Sequence, residues 1–151
     1  MKAVIQRVKS ASVSSQGQPA GKIEIGLLIY IGVGIEDDEN DMNYLADKIP
    51  KLRIFPDADD KMNCSLEDVK GAILAVSQFT LQGDCRKGRR PSFTGVAEPT
   101  IANEYYQQLV LRWQEMGIHT ETGVFQTDML VESVNWGPVT FILDSKEKKG
   151  K

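Results

Sequence analysis

Apolar and polar residues alternate through MKAVIQRV (1–8) and again through SASVSSQGQPAGKIEIG (10–26), which predicts short strands with a turn near Gln16-Gly17. GLLIYIGVGI (26–35) is almost continuously hydrophobic, the mark of a strand buried on both faces. The period then changes. Met42, Leu45, Ala46 and Ile49 fall at i, i+3, i+4 and i+7, one face of a helix whose start suits Asp37 and Asp38. Pro50 should end or distort that helix near Ile49. LRIF (52–55) is a short strand candidate, PDADDKMN a polar loop, and AILAVSQFTL (72–81) a second long buried strand. A glycine-containing basic loop, QGDCRKGRRPSF (82–93), leads to a second helix, EPTIANEYYQQLVLRWQEMG (98–117). Pro99 fits its first turn and Gly117 its end, with Ile101, Tyr105, Leu109, Trp113 and Met116 as the apolar side. VFQTDMLVESVN (124–135) and VTFILDS (139–145) close the chain as strands.

The order β-β-β-α-β-β-α-β-β mixes hairpins with crossovers. It predicts an α/β domain with a mixed, partly antiparallel sheet covered by helices. One break stands out: Gly137-Pro138 interrupts VNWGPVTFIL (134–143), where proline has no donor for a ladder and glycine no side chain to pack. The pair must leave the ladder.

Composition narrows the class. A chain of 151 residues with 41% hydrophobic content fits one domain, 1–145, followed by a basic tail at 146–151. The longest apolar run, 25–35, is too short for a membrane span and carries glycines, and MKAVIQRV lacks the apolar core of a signal peptide. A soluble cytoplasmic protein is expected. Cys64 and Cys85 form no CxxC pair, so they are expected as free thiols. The net charge of −3 argues against broad binding to duplex nucleic acid but leaves a local contact with a nucleic-acid end open.

Candidate chemistry is sparse. His119 is the only histidine, so a His-based zinc site lacks partners, and its place just past a helix end suits capping or the surface. DADDKMNCSLED (57–68) fails as a calcium loop, because Lys61 sits at the fifth position, Met62 replaces the glycine and Asp68 the terminal glutamate. The glycines of IGVGIEDD lack dinucleotide spacing. No metal or cofactor is expected. Arg86, Lys87, Arg89 and Arg90 cluster in CRKGRR (85–90), either as a solvated loop or as a phosphate grip beside a site. Ser77, Gln78 and Thr80 bring hydroxyls and an amide to the end of an apolar strand. They read equally as local hydrogen bonding or as a polar patch at a pocket mouth.

SQFTL (77–81) followed by NWGPVT (135–140) resembles the paired motifs of the D-aminoacyl-tRNA deacylases, formerly D-tyrosyl-tRNA deacylases. The likeness extends to AVIQRV (3–8), LRIF with KMN, GRRPSF (88–93) and TGVFQTDM (122–129), leaving out only 146–151. It implies that family's barrel-like fold and a cytosolic homodimer. It also implies hydrolysis of the ester joining a D-amino acid, or mischarged glycine, to the 3′-terminal adenosine of tRNA. On the same resemblance Gly137-Pro138 is a cis pair reaching into the partner's pocket, and Ser77, Gln78, Phe79, Thr80 and Leu81 line that pocket. Arg7 helps hold the Gly-Pro carbonyls, and Phe125 and Met129 lie near the site. Trp136 departs from the family, which often has a small polar residue there, and bears on packing at the tip and on fine substrate preference.

The implied chemistry needs a placed water, an oxyanion partner and orientation. Backbone N–H groups around Phe79 and Thr80 are the candidate oxyanion donors, with the adenosine 2′-OH helping to activate water and Thr80 orienting or stabilising. Rejection of L-amino acids must come from a clash, for which rigid main chain suits better than mobile side chains. Arg86, Lys87, Arg89 and Arg90 are candidates for the CCA end of tRNA. Two rivals are a non-catalytic RNA-end-binding scaffold and an esterase of small molecules.

Overall fold

A computed structural model of the chain describes residues 1–147. Its elements run β1 (Lys2–Ser15), β2 (Gln18–Ile23), β3 (Gly26–Gly32), α1 (Glu39–Lys48), β4 (Phe55–Pro56), β5 (Met62–Cys64), β6 (Ala72–Ser77), α2 (Pro99–Glu115), β7 (Thr120–Thr122) and β8 (Met129–Asp144). The strands expected within 1–26 are one long strand and its hairpin partner. Gln16 and Gly17 both adopt positive φ (51 and 76), as a two-residue hairpin turn that matches strand twist requires.

β1 organises the sheet. One edge pairs antiparallel with β3 over Lys2–Val8 and with β2 over Ala11–Ser15, while the other edge pairs with β8 from end to end. β6 lies parallel to β3, and β7 parallel to β6. Parallel neighbours need long crossovers, and α1 and α2 supply them. The sheet curls until β2 approaches β6 and β7, giving a nearly closed, barrel-like mixed sheet. Leu27, Ile29 and Ile31 face the helices, whereas Leu28 between them packs inside the curl with Val8, Val13, Leu74 and Val76. Both faces of β3 are therefore buried, which is why its sequence shows no polar alternation.

α1 begins with a reciprocal cap. The Asp38 carboxylate accepts from the Asp41 N–H at 3.1 Å, and the Asp41 carboxylate accepts from the Asp38 N–H at 3.0 Å. Met42, Leu45, Ala46 and Ile49 are all buried, and Pro50 enters a 3-10 turn, Ile49–Lys51. α2 starts at Pro99 and closes at Gly117, whose φ is 81. Its buried stripe is Tyr106, Leu109, Val110 and Trp113, while Ile101 and Met116 are exposed, so the expected stripe is turned on the helix. The polar ends of two rings decide that turn: Trp113 Nε1 donates to the Ala46 carbonyl at 3.1 Å and Tyr106 to the Ala75 carbonyl at 2.8 Å. Burial pushes the Tyr106 phenol well above its ordinary value.

Several strand expectations change, and the two strands expected at 124–135 and 139–145 are one, β8, which begins at Met129. AILAVSQFTL stops being a strand at Ser77 and turns into a 3-10 segment, Phe79–Gln82. LRIF contributes only Phe55, paired in a small separate sheet with β5, and β7 appears where no strand was expected. Lys146 docks on α1, donating to Asp41 at 2.6 Å and to the Glu36 carbonyl at 2.7 Å. Residues 148–151 of the basic tail lie outside the described residues.

Candidate active site

The parallel strands β3 and β6 end together, and a cleft of about 710 Å³ opens at their carboxyl ends, the usual place for a ligand in parallel sheets. Ile31, Val33 and Val76 form its floor, Ala97 and Ala102 one wall, and Phe125 and Met129 another. Ser77, Gln78 and Phe79 line it, whereas Thr80 and Leu81 do not. Thr80 turns its hydroxyl to the Gln78 amide, and the Leu81 carbonyl faces Lys2 Nζ at 3.5 Å.

The break after Ser77 has a chemical consequence. Gln78 still donates its backbone N–H to the Ile31 carbonyl at 2.7 Å, which pins the strand end. The 3-10 turn that follows has no side-chain cap. Among the described residues the N–H groups of Phe79 and Thr80 meet no protein acceptor. Two adjacent unpaired donors therefore follow the polar strand end, one on Phe79, which lines the cleft, and one on Thr80, the next residue. Phe79 is exposed and stands edge-on to Phe93, ring centres 5.2 Å apart, at the same rim.

Gly137 and Pro138 line none of this cleft. The pairs Gln6–Thr140 and Val8–Asn135 leave Arg7 alone on β1 opposite residues 136–139 of β8. The ladder thus continues on both sides while the pair is extruded as an exposed tip, and its peptide bond is cis. Asn135 closes the neck, its side chain accepting from the Val139 N–H at 3.1 Å and donating to Thr140 at 3.1 Å. Gly137 has φ 131, and a Cβ there would lie 2.7 Å from Val139 Cγ2.

Arg7 sits beneath the tip, only 7% exposed. Its Nη1 donates to the Ile54 carbonyl at 2.7 Å and its Nε to the Trp136 carbonyl at 3.0 Å, the peptide just before Gly137. The Trp136 indole, which sequence reasoning left unexplained, packs over Phe55 with ring centres 6.3 Å apart. Arg7 lies 4.6 Å and Lys9 Nζ 3.5 Å from the indole centre. No spacing rule links residues 7, 9 and 136; only the β1–β8 register does.

The basic loop is a hairpin closed by paired backbone bonds between Asp84 and Ser92, which sets its base beside Phe93 at the cleft rim. Arg86 is committed to Asp84 at 2.7 Å, and that bond holds the carboxyl below the usual carboxylate range. Lys87, Arg89 and Arg90 are exposed. His119 is exposed at the other end of β6, where its carbonyl accepts from Ile73, and it lies outside the cleft. The Asp57 carboxylate accepts from the Asp59 and Lys61 amides and from Asn63, turning its loop on itself. Among the described residues no group of three or more His, Cys, Asp or Glu is placed to hold a metal, and no helix is long and apolar enough to cross a membrane.

Unpaired backbone donors on the rim of an apolar cleft are the layout of a site that handles a developing oxyanion, as in acyl transfer or ester hydrolysis. The family model described as D-Tyr-tRNA(Tyr) deacylase matches residues 4–144. A D-aminoacyl-tRNA deacylase of Desulfitobacterium hafniense is 53% identical over 97% of this chain and 99% of its own. One of Koribacter versatilis is 55% identical over 98% and 99%. Among solved structures, the c-Myc DNA unwinding element binding protein superposes with a TM-score of 0.89 at 34% identity, covering 95% of this chain and 98% of that one. A probable eukaryotic D-amino acid tRNA deacylase shares the fold, with a TM-score of 0.80 at 15% identity over 94% and 97%. The chain belongs to the D-Tyr-tRNA deacylase family, and it is a hydrolase.

Proposed function

We propose that the protein is a cytosolic D-aminoacyl-tRNA deacylase working as a homodimer, with the Gly137-Pro138 tip of each subunit entering the cleft of the other. The observation that carries the reaction is the pair of unpaired N–H groups at Phe79, which lines the cleft, and at Thr80 beside it. Water adds to the ester carbonyl and the N–H groups receive the negative charge. The bond to the 3′ oxygen of the terminal adenosine then breaks, that oxygen leaves with a proton, and free D-amino acid and tRNA result. Losing one such donor costs about 10²–10³ in rate. The neighbouring 2′-OH of the adenosine takes part in activating the water. Thr80, its hydroxyl already engaged with Gln78, orients rather than attacks.

The dimer is supported by what each subunit leaves undone. Leu130, Val134 and Ile142 are exposed on β8, and among the described residues its outer edge has no strand partner. The tip stands clear of its own cleft on a tied neck, so a second copy gives it somewhere to go. A main-chain gate that clashes with an L side chain passes D-amino acids of many kinds, and passes glycine too. Lys87, Arg89 and Arg90 beside the rim grip the phosphates of the single-stranded CCA end. DNA, which appears in the name of one structural relative, would meet a chain of net charge −3, which disfavours broad backbone binding.

The test is release of amino acid from matched D- and L-aminoacyl-tRNA, with a 2′-deoxy-terminated tRNA in parallel. The reading expects D-selective turnover, glycine release, and loss of rate without the 2′-OH. Binding without turnover would make the protein a scaffold, and turnover of small esters alone would make it a different esterase.

A further inference from the structure

Two irregularities of the sheet meet at one side chain. β8 extrudes residues 136–139 opposite Arg7, and two residues further along β1 the pairs Val8–Asn135 and Ser10–Val134 leave Lys9 without a β8 partner. A bulge re-aims the side chain it carries. Here the Lys9 ammonium comes to 3.5 Å from the centre of the Trp136 ring, while the Arg7 guanidinium lies 4.6 Å from the same centre. Arg7 also holds the Trp136 carbonyl, so one residue is fastened by backbone and by ring through the same arginine. Arg7 is itself fixed to the Ile54 carbonyl, and the ring rests on Phe55, the next residue of that segment. Trp136 thereby joins the base of the tip to β1 and to the Ile54–Phe55 segment at once. Gly137 and Pro138, exposed beyond it, inherit their position from this joint.

We infer that Trp136 is a positioning residue for D-over-L discrimination, with Lys9 as its partner: the cation–π joint sets where the Gly137-Pro138 carbonyls stand. This rests on the tip being the chirality gate. A gate that works by clash depends on placement, and a displacement of about 1 Å costs on the order of 10²-fold where geometry carries the selectivity. A residue that merely fills space would change stability and leave the ratio of D to L turnover where it was.

The experiment measures kcat and KM on matched D- and L-aminoacyl-tRNA, with melting temperature and dimer mass as controls, for four variants. Trp136→Leu keeps apolar bulk without a π face and lowers the D-over-L ratio about tenfold, the scale of one or two partly desolvated cation–π contacts, with KM unchanged. Trp136→Phe restores most of the ratio. Lys9→Met removes only an exposed ammonium, leaves the core intact, and shifts the ratio in the same direction by less. Gly137→Ala reports on the gate itself. If Gly137→Ala shifts the ratio while Trp136→Leu and Lys9→Met do not, the joint has no such role and the gate stands. If none of the variants shifts it, the gate reading falls with it. Should Trp136→Leu fail to fold, an unchanged ratio in Lys9→Met still overturns the inference.

Discussion

The end of β6 and the tip of β8 both break a strand pattern, and they break it in opposite directions. At Ser77 the chain turns inward. It stays pinned by the Gln78–Ile31 bond, lines a cleft with Ser77, Gln78 and Phe79, and leaves two N–H groups without protein acceptors. At Trp136 the chain turns outward. The ladder resumes at Thr140, and the extruded Gly137 and Pro138 touch no part of the cleft that the same chain builds. The first region has room and donors. The second has exposed main chain on a tied neck but no room. On the proposed reading, each supplies what the other lacks.

Breaking the inward region should have the largest effect. Ala102 lines the cleft from α2, and Ala102→Trp fills it, lowering kcat/KM on D-aminoacyl-tRNA by about 10²-fold or more with an unchanged dimer mass. Breaking the outward region should cost less rate and more selectivity. At φ 131, an alanine Cβ at position 137 meets Val139 Cγ2 at 2.7 Å and Arg7 Nη2 at 3.0 Å, so the tip must move. Gly137→Ala is expected to lower the D-over-L ratio of kcat/KM by about 10-fold to 10²-fold while binding of an adenosine-terminated RNA end persists.

Smaller effects sharpen the contrast by leaving both regions intact. Replacing Lys87, Arg89 and Arg90 together by alanine should raise KM about threefold to tenfold, flatten its dependence on salt, and leave kcat and the D-over-L ratio unchanged. The smallest effect on catalysis belongs to Asp41. Burial pushes its carboxyl up, but the Lys146 ammonium, the Asp38 N–H and the Ser145 hydroxyl outweigh burial and hold it well below the usual range. A carboxyl depressed in the folded state stabilises fully above its unfolded pKa near ~4, and that contribution fades as pH falls below it. Asp41→Asn should therefore cost about 1–3 kcal/mol at pH 7, measured by urea unfolding, with the gap to the parent closing as pH drops below ~4. Its D-over-L ratio should stay that of the parent.

Legibility followed locality. α1 could be read almost completely, because its cap and its buried face are set by residues within one turn of each other. β1 read as two strands because its alternation falters around Lys9 and Ser10, where the bulge against β8 lies. The apolar side assigned to α2 was turned because Trp113 and Tyr106 are oriented by carbonyls of Ala46 and Ala75, distant in sequence. β7 is three residues held by parallel pairing to β6, a partnership that carries no local pattern. At the site, the polar end of an apolar strand was visible, and so was the Gly-Pro break. The N–H groups of Phe79 and Thr80 were named as donors through the family resemblance, but nothing in the sequence says that they go unpaired, since that depends on the chain leaving strand geometry at Ser77 rather than after Leu81. Trp136 was opaque for the same reason, its partners being Arg7, Lys9 and Phe55.

On the proposed reading, the inward region of one subunit works with the outward region of another. Mixing tests it directly: Ala102→Trp protein, with an intact tip and a blocked cleft, is unfolded and refolded together with Gly137→Ala protein, with an open cleft and a displaced tip. Random pairing makes half the dimers mixed, each with one intact composite site, so D-selective deacylation should return to about a quarter of the parent's. A mixture no more active and selective than the two variants measured apart would contradict it.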